Sequence, residues 1–529
     1  MTEQELNELA SLIAEDDFAQ WLALGVQPQE ADALRRLQAL EPFTAERYAD
    51  SDVGNGYLYA DYFRRTARYV SERKCWYIYD GAVWKADTGS LAAMEKCKEL
   101  ALLLLQIAAQ VKDGALRDAA IRRAQGWHSR RRRETILKDA AGVHSLSMRM
   151  FDTDSYIFNC LNGTLDLRTM RFHDHRPEDM LTMISGVCYD PQARCPRWER
   201  FMQEIMLTPL PEPQQTALGE PPAPSAAMAK SRYLQKALGY ALCGSTRYEC
   251  LFILYGATTR NGKGTTMETM LRLMGDYGRT ARPESIGARM QQSGSSPSED
   301  IARLRGARLV NISEPDKKLT LSAALVKSMT GNDTLTARFL HENSFEYRPQ
   351  FKMFINTNYL PQITDLTLFS SGRIKTIPFE RHFEEEEQDR SLKETFSRPQ
   401  NLSGILNWCI EGLRLLEEEG LAEPDAVREA TAQYAHESDK LALFMEEFLE
   451  PAPAALERTA RVYAAYQRWC QDNGFCAENV RNFRALLSGY ARVERRRPSA
   501  MEDKTSVIVG LRLRSEYCIH GFGADVAAK

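Results

Sequence analysis

The chain has 529 residues, of which 43% are hydrophobic and 26% charged, and its formal net charge is −4. Such a composition is ordinary for a globular protein, and the length predicts roughly three or four domains. The slightly acidic balance excludes a chain whose whole surface grips nucleic acid, so any contact with DNA has to come from local basic patches.

The cysteines and the apolar runs limit the class of protein further. The 11 cysteines include no CxxC pair, so the sequence offers no zinc knuckle and no dithiol redox motif. The first residues, MTEQELNELASLIAEDD, are acidic and lack the apolar core of a signal peptide. No apolar stretch is long enough to cross a bilayer. We therefore expect a cytoplasmic protein with reduced cysteines and no membrane partner.

Residues 1–145 are predicted to form a mostly helical N-terminal region. Helical periodicity covers residues 1–50 and 91–145, and acidic residues come early in the chain. Between them, the aromatic segment Lys74–Trp84 predicts a β-hairpin that turns at Asp80-Gly81.

Residues 146–235 are expected to form a further domain. The segment Tyr156–Phe172 predicts two short strands around Asn162-Gly163. Residues 207–229 hold a cluster of prolines, a composition that opposes both helix and sheet. We therefore predict an exposed loop or linker over residues 207–229.

Two basic runs are candidates for contact with nucleic acid. The run His128–Arg133 is the denser, and it either binds DNA phosphates on one face or forms a solvated helix surface. In the tail, Arg492 and Arg495–Arg497 lie on a predicted β-hairpin, where they either contact phosphates or only aid solubility.

A phosphate-binding loop is predicted at Gly256–Thr265. The apolar run Leu251–Tyr255 predicts a buried strand, the sequence GATTRNGKGT follows it, and a helical stretch comes next. Such a strand–loop–helix unit directs backbone N–H groups at an anion, at the positive end of a helix dipole. The ammonium group of Lys263 would bind the β- and γ-phosphates of ATP.

The loop departs from the usual pattern at the position of the magnesium-binding hydroxyl. Gly264 stands where a serine or threonine normally follows the lysine, so we choose Thr265 as the Mg²⁺ ligand and Thr266 as the second choice. The predicted nucleotide ligands are therefore Gly256, Asn261, Gly262, Lys263, Gly264, Thr265 and Thr266.

An acidic residue follows the next-but-one predicted strand. Ala307–Ile312 is β-prone, and Ser313 and Glu314 come directly after it, about fifty residues beyond Lys263, a spacing that suits a doubly wound sheet. A carboxylate there can polarise the attacking water or help to hold Mg²⁺. We choose Glu314, with Asp316 as a weaker candidate.

Two further polar residues lie at the ends of predicted strands. After Phe351–Ile355, the carboxamide of Asn358 can orient water at the γ-phosphate, with Asn356 as second choice. Beside the next strand, Arg373 has the chemistry of an arginine finger that stabilises transition-state charge.

The order of these motifs resembles that of superfamily 3 helicases. GATTRNGKGT is followed by LVNISEP, by GNDTLTARFLHENSFEYRPQFKMFINTNYLP and by SGRIKTIPF. Over roughly residues 50–525, the chain is similar to the phage and plasmid primase–helicase family related to the poxvirus primase–helicase. The resemblance implies an α/β fold with a P-loop, AAA+-like motor, a mixed α+β N-terminal region and a C-terminal winged-helix domain.

The resemblance also implies a division of the chain. It assigns residues 146–235 to the family's pre-motor domain, residues 236–382 to the ATPase motor and residues 383–450 to a helical segment. Residues 451–529 then form the winged-helix, DNA-binding domain.

Roles for individual residues follow from the resemblance. Lys263 binds ATP phosphates, Glu314 is the acid after the Walker B strand, and Asn358 is the sensor asparagine. Arg373 would reach into the site of a neighbouring subunit.

A DNA-binding hairpin is implied as well. The segment Thr334–Tyr347 resembles the β-hairpin that projects into the central channel of a ring, where Arg338 and His341 would contact DNA phosphates and Lys352 would assist.

The function implied is an ATP- and Mg²⁺-dependent DNA helicase of phage, prophage or plasmid replication in the bacterial cytoplasm. The resemblance implies a homo-oligomeric ring, a hexamer, that binds single-stranded DNA and DNA forks. The alternative is an ATP-regulated, origin-binding initiator or helicase loader without unwinding activity. A metabolic P-loop kinase is a third interpretation, which the winged-helix-like tail opposes.

The family usually couples its motor to a primase domain. Asp152 and Asp154 form a DxD pair of the kind used in two-metal catalysis, but no third carboxylate or histidine motif accompanies it. We therefore expect priming to come from a separate primase or polymerase.

Overall fold

The computed structural model describes residues 28–208, 224–288, 299–315, 319–339, 344–497 and 504–518. Within these ranges, no helix combines the length and the apolar character that a membrane span requires.

In the described part of the N-terminal region, residues 28–145, five α-helices share a core with a small antiparallel sheet. The helices are α1 (Pro28–Gln38), α2 (Asp52–Tyr62), α3 (Leu91–Ala109), α4 (Gly114–Gly126) and α5 (Arg130–Ala140), and the strands are β1 (Ala67–Val70), β2 (Cys75–Tyr79) and β3 (Trp84–Asp87). Strands β2 and β3 pair from Tyr79 and Trp84 outwards, with Gly81 at a φ of +107° in the turn. The predicted hairpin at Asp80-Gly81 is therefore confirmed, and a glycine is needed there because its φ is positive.

The segment before the motor contains one more strand than the sequence predicted. It forms an antiparallel sheet of β4 (Ile157–Cys160), β5 (Gly163–Asp166) and β6 (Arg171–His173), followed by helices α6 (Pro196–Glu204) and α7 (Pro224–Tyr240). The two strands around Asn162-Gly163 are confirmed. The predicted loop over residues 207–229 is wrong from Pro224 onwards, where α7 begins; residues 209–223 lie outside the described residues.

Residues 236–382, the predicted motor region, contain five parallel strands in the part of the chain that the structure describes. They are β7 (Leu251–Tyr255), β8 (Gly278–Ala281), β9 (Leu309–Ser313), β12 (Lys352–Thr357) and β13 (Ile374–Pro378), in the spatial order β13-β7-β12-β9-β8. The chain between β9 and β12 forms a small hairpin of β10 (Leu335–Ala337) and β11 (Phe345–Tyr347). The connecting helices are α8 (Lys263–Met274), α9 (Glu299–Ala302), α10 (Ala323–Thr330) and α11 (Thr367–Ser370).

Strand β7 is buried on both faces of the sheet, which explains why it is a continuous apolar run, LFILY. On one face Phe252 stacks on Phe354 at a centroid distance of 5.0 Å, while Leu251 and Ile253 join a separate core on the other face. Successive side chains of a strand point to opposite faces, so a strand covered on both faces needs apolar residues at every position.

A helical segment and a second mixed unit complete the chain. The helices are α12 (Leu392–Ser397), α13 (Pro399–Glu419) and α14 (Asp425–Ser438). The last unit runs α15 (Lys440–Phe448), β14 (Leu449–Arg458), α16 (Thr459–Asp472), α17 (Val480–Leu487), β15 (Arg492–Arg496), β16 (Thr505–Leu513) and α18 (Ser515–Cys518), with an antiparallel sheet in the order β14-β16-β15.

Helix α7 ties the helical segment to the motor. A Cβ atom at Gly412 of α13 would lie 2.1 Å from the carbonyl oxygen of Gln235, and one at Gly239 would lie 2.3 Å from the amide nitrogen of Leu413. Glycine at both positions therefore lets α7 and α13 cross in direct backbone contact.

The expected domain boundary between residues 235 and 236 falls inside α7, and the one between residues 450 and 451 falls inside β14.

Candidate nucleotide-binding site

The loop between β7 and α8 lies at the carboxyl edge of the parallel sheet. It runs from Gly256 to Gly262, and Lys263 is the first residue of α8. Gly262 has a φ of +85°. A Cβ atom at Gly256 would lie 2.4 Å from both the side-chain Nδ2 of Asn261 and the carbonyl oxygen of Phe379. Both glycines are therefore needed for the loop to take this shape.

Side chains around the loop fix its conformation. The buried Asn261 donates from Nδ2 to the carbonyl oxygen of Thr258 at 2.7 Å. The chain after β13 adds two contacts: His382 Nδ1 lies 2.8 Å from the Thr259 oxygen, and the amide of Phe383 donates to the Arg260 oxygen at 3.0 Å. Asn261 thus acts on the loop's shape, which leaves the backbone N–H groups to bind a ligand.

Lys263 and Asn358 meet at the mouth of the loop. Lys263 is only 4% exposed, and its Nζ donates to Asn358 Oδ1 at 2.9 Å and to the Gly256 oxygen at 3.3 Å. Burial lowers the pKa of the Lys263 ammonium to about 8. Both oxygens are neutral, so neither compensates the positive charge as a phosphate would.

The first turn of α8 distinguishes the two candidate hydroxyls. Thr266 is fully buried, and its Oγ1 donates to the Gly262 oxygen at 3.0 Å. Thr265 is half-buried, and a Cβ atom at Gly264 would meet nothing within 4 Å. The surface at Gly264 is therefore open to a ligand, and Thr265 remains the better candidate for a metal ligand.

Glu314 follows β9 at the same carboxyl edge as the loop. Strand β12 lies between β7 and β9, so Asn358 and Glu314 leave neighbouring strands. The amide of Glu314 donates to the Asn356 oxygen at 3.0 Å, and the Glu314 side chain is exposed. Glu314 has a φ of +50°, a left-handed conformation that is unfavourable for a non-glycine residue. Asp316 lies outside the described residues.

Arg373 lies at the opposite edge of the sheet from the loop. It directly precedes β13, whose five residues span about 17 Å. Its guanidinium group contacts Glu249 Oε2 at 2.6 Å and Thr330 Oγ1 at 2.7 Å. Within one chain it is therefore too far away to touch phosphates in the loop, and the trans role stays a prediction.

A cavity of about 370 Å³ opens beside the loop, and sequence reasoning missed it. Its lining includes Ala257 and Thr258 of the loop, Leu360 after β12, and Gln433 and Tyr434 of α14. Helix α14 carries no motif, and only the packing of α14 against β13 brings it here.

The predicted DNA-binding residues have three different outcomes. The hairpin predicted over Thr334–Tyr347 is present as β10 and β11, and Arg338 is half-buried just beyond β10. His341 lies outside the described residues. Assigning Lys352 to the DNA interface was wrong, because the side chain is 1% exposed.

Lys352 serves as a buried hydrogen-bond donor. Its Nζ donates to the carbonyl oxygens of Cys243, Ser245 and Gln350, the last two at 3.2 and 3.0 Å. An ammonium group with three protein acceptors and no exposure cannot reach a phosphate.

The basic run of the N-terminal region is largely engaged within the protein. Arg133 is buried and donates to the carbonyl oxygens of Trp127 and His128. Arg132 pairs with Asp50 at 2.6 Å. The run therefore forms no single exposed basic face.

The DxD pair is structural. Asp152 is half-buried and accepts hydrogen bonds from the amide and hydroxyl of Thr182, while Asp154 pairs with Arg168 at 3.0 Å. Among the described residues, no group of three or more His, Cys, Asp or Glu side chains could hold a metal ion.

Two family descriptions match the chain. The family described as "D5 N terminal like" matches residues 56–207, and the one described as "Poxvirus D5 protein-like" matches residues 436–499. The resemblance to the poxvirus D5-like family is confirmed. The two matched ranges flank the motor sheet.

Curated viral proteins are similar over longer segments. "Putative helicase L207/L206" of Acanthamoeba polyphaga mimivirus is 24% identical over 64% of this chain and 35% of its own length. "Putative helicase 022R" of Frog virus 3 (isolate Goorha) is 28% identical over 42% of this chain and 24% of its own length. "Putative primase C962R" of African swine fever virus (isolate Tick/Malawi/Lil 20-1/1983) is 21% identical over 62% of this chain and 34% of its own length. The chain thus spans about a third or less of these relatives.

Solved structures of the NrS-1 C-terminal region share a general similarity. The apo structure of residues 305–718 aligns with a TM-score of 0.45 and 10% sequence identity, over 84% of this chain and 96% of that chain.

Proposed function

We propose that this chain is an ATP-hydrolysing DNA helicase of superfamily 3. The observation that carries the proposal is the contact of 2.9 Å between Lys263 Nζ and Asn358 Oδ1 at the mouth of a glycine-dependent loop. Residues far apart in sequence thus meet where a strand, a loop and a helix N-terminus converge, and Glu314 follows the adjoining strand.

The residues at this edge have the chemistry that nucleotide hydrolysis needs. The amides of the loop and the Lys263 ammonium would bind the β- and γ-phosphates of ATP, and Thr265 and Glu314 would hold Mg²⁺, which neutralises phosphate charge. Glu314 would also accept a proton from the attacking water, and Asn358 would orient that water. The cavity beside Ala257 and Thr258 would take the nucleobase.

We further propose a ring of identical subunits, a hexamer by analogy, that acts in the replication of phage, prophage or plasmid DNA in a bacterial cytoplasm. Arg373 lies away from the loop of its own chain, so only a neighbouring subunit could receive it. The β10–β11 hairpin, with Arg338 and His341, would contact the translocated strand. Priming would come from a separate enzyme.

The C-terminal unit supports contact with DNA. Its order of helix, strand, helix, helix, strand, strand (α15 to β16) supports the proposed winged-helix domain. Helix α17 exposes Arg481, Asn482 and Arg484, side chains that bind phosphates and base edges. In the adjoining hairpin, Arg492 and Arg496 both pair with Glu494, which reduces their contribution to DNA binding.

Replacing the lysine of the loop tests the proposal. Lys263→Ala should lower DNA-stimulated ATPase activity by about 100-fold or more, because the ammonium group would bind the phosphates of ATP. The affinity for DNA should stay unchanged, because Lys263 lies outside the proposed DNA contacts. Lys112→Ala, at an exposed lysine outside every motif, is the control. Full ATPase activity of Lys263→Ala would refute the assignment.

Strand displacement on a forked duplex separates the helicase from an initiator or loader. The helicase should release the labelled strand only with ATP and Mg²⁺, and Lys263→Ala should release none. ATPase activity without any strand release, with an active helicase run in parallel, would favour the ATP-regulated initiator or loader.

A further inference from the structure

A large cavity lies at the amino edge of the motor sheet, opposite the nucleotide loop. Its volume is about 940 Å³, and six arginines line it: Arg73, Arg149, Arg279, Arg303, Arg305 and Arg348. Arg279 is the second residue of β8, and Arg348 comes shortly before β12. Since the strands are parallel, these positions share one edge of the sheet.

The arginines come from two parts of the chain. Arg73 lies between β1 and β2, and Arg149 comes before β4, so both belong to the segment that precedes the motor. The other four arginines belong to the motor itself. The cavity is therefore a boundary between the N-terminal region and the motor, and neither part forms it alone.

Positive charge dominates the lining. Two carboxylates, those of Asp152 and Glu346, lie among the lining side chains, and the half-buried Asp152 accepts hydrogen bonds from Thr182. One lining arginine, Arg303, pairs with Glu299, and the other five keep the balance positive. Burial and the neighbouring Arg73 both lower the pKa of the Arg305 guanidinium. Like charges held this close repel each other, and a bound polyanion would relieve that repulsion.

Aromatic side chains of the motor hairpin complete the lining. Phe339 lines the cavity and stacks on Phe345 at a centroid distance of 5.6 Å. The Arg73 guanidinium lies 5.2 Å from the Phe339 ring and 5.6 Å from the Phe345 ring, and Arg305 lies 5.7 Å from the latter. The N-terminal region thus contacts the hairpin directly, at the place where the arginines converge.

We propose that this cavity binds the phosphodiester backbone of single-stranded DNA, with the N-terminal region and the base of the hairpin both contacting the strand. Guanidinium groups bind phosphate oxygens in pairs, and arginine planes and phenyl rings are the platforms on which unpaired bases stack. The volume suits a few nucleotides and is far too small for a duplex. The inference rests on the proposed function, since it names a second contact with the strand that the motor would pull.

Two exposed arginines, one from each part, allow a test that spares the fold. Arg149→Ala alters the N-terminal side and Arg348→Ala the motor side, and both side chains are exposed. The double variant Arg171→Ala, Arg200→Ala, also at exposed positions, removes the same charge elsewhere and is the control. Affinity for a fluorescent oligothymidylate would be measured by anisotropy between about 50 and 200 mM salt.

Arg149→Ala and Arg348→Ala should each bind the oligothymidylate more weakly than the wild type, and the double variant Arg149→Ala, Arg348→Ala should lose about 10-fold or more in affinity at low salt. Affinity decreases as salt rises, and the plot of log affinity against log salt should become shallower by about 0.7 for each phosphate that the protein no longer neutralises. The control should keep the wild-type slope. An unchanged slope in the double variant would overturn the proposal. A loss of affinity in Arg348→Ala but not in Arg149→Ala would also overturn it, because only the motor side would then contact the strand.

Two further measurements separate the remaining explanations. If the cavity bound only small anions, inorganic phosphate would bind to the wild type and not to the double variant Arg149→Ala, Arg348→Ala, while both proteins would bind the oligothymidylate equally well, and the proposal would fail. ATPase without DNA should stay within about two-fold of the wild type in both variants. Absence of any ATPase in the wild type would refute the proposed function, whereas the binding assay would still decide the cavity.

Discussion

The two edges of the motor sheet are built in opposite ways. At the carboxyl edge, most of the predicted ligands lie within ten consecutive residues, Gly256–Thr265, and a helix N-terminus is part of the site. At the amino edge, the six arginines of the cavity come from separate loops and strands of two regions. A site for one compact phosphate group can be local, whereas a surface for an extended polyanion is assembled by folding.

The largest effect is expected at the carboxyl edge. Glu314→Gln should lower the ATPase rate by about 100-fold or more, since the amide cannot accept the proton of the attacking water. Binding of a fluorescent ATP analogue and of oligothymidylate should persist, because Gln keeps the size of the side chain and the amino edge is untouched.

Kinetic and binding assays on the same preparation check this, with Glu99→Gln, at an exposed acid of α3 outside both sites, as a matched control. Loss of oligothymidylate binding in Glu314→Gln would mean that the two edges are not independent. Retention of full activity would remove Glu314 from the mechanism.

At the amino edge, replacing Lys352 should affect stability and not DNA binding. Lys352→Ala should destabilise the fold by about 2–4 kcal/mol, because it removes a buried stem and leaves the carbonyl oxygens of Cys243, Ser245 and Gln350 without their donor. Urea unfolding measures this, and at low temperature the affinity for oligothymidylate should match the wild type. Weaker DNA binding with unchanged stability would restore the original prediction for Lys352.

The depressed pKa of Lys263 predicts a proton linked to nucleotide binding. With a pKa of about 8 in the free protein, part of the lysine is neutral at about pH 8.5. Phosphates raise that pKa, so binding should take up as much as one proton above pH 8 and little at pH 7, and the affinity for ATP should fall as the pH rises.

Titration calorimetry in buffers of different ionisation enthalpy detects this uptake. Lys263→Arg, whose guanidinium stays charged, should take up correspondingly less at the same pH. Equal uptake in both proteins would assign the proton to another group.

The smallest effect is expected for the basic run of α5. Arg130→Ala with Arg131→Ala should change the affinity for oligothymidylate by less than about two-fold and leave its salt slope unaltered, because that slope becomes shallower only when fewer phosphates are neutralised. Anisotropy alongside the cavity variants makes the comparison direct. A slope change as large as that of Arg149→Ala would place the strand across α5 instead.

Much of the carboxyl edge could be predicted from the sequence. The strand Leu251–Tyr255, the loop after it and the hairpin at Asp80-Gly81 depend on backbone rules that act over a few residues. The pairing of Lys263 with Asn358 was also within reach, since the carboxyl ends of parallel strands share an edge.

Features that depend on packing between distant segments were not within reach. An exposed lysine and the buried Lys352 look alike in sequence, and only the placement of residues 243–245 over the start of β12 supplies its acceptors. Likewise, the run His128–Arg133 looked basic, yet Asp50 and carbonyl oxygens engage part of it.

The sequence by itself determined the glycine-containing loop after β7, the order of the motifs that accompany it and the family resemblance, because each depends on residues that are neighbours along the chain. Only the tertiary structure decided which arginines share a cavity and which cations are buried. Side-chain charge is written in the sequence, but its exposure and its neighbours are set by how helices and strands far apart in the chain pack against one another.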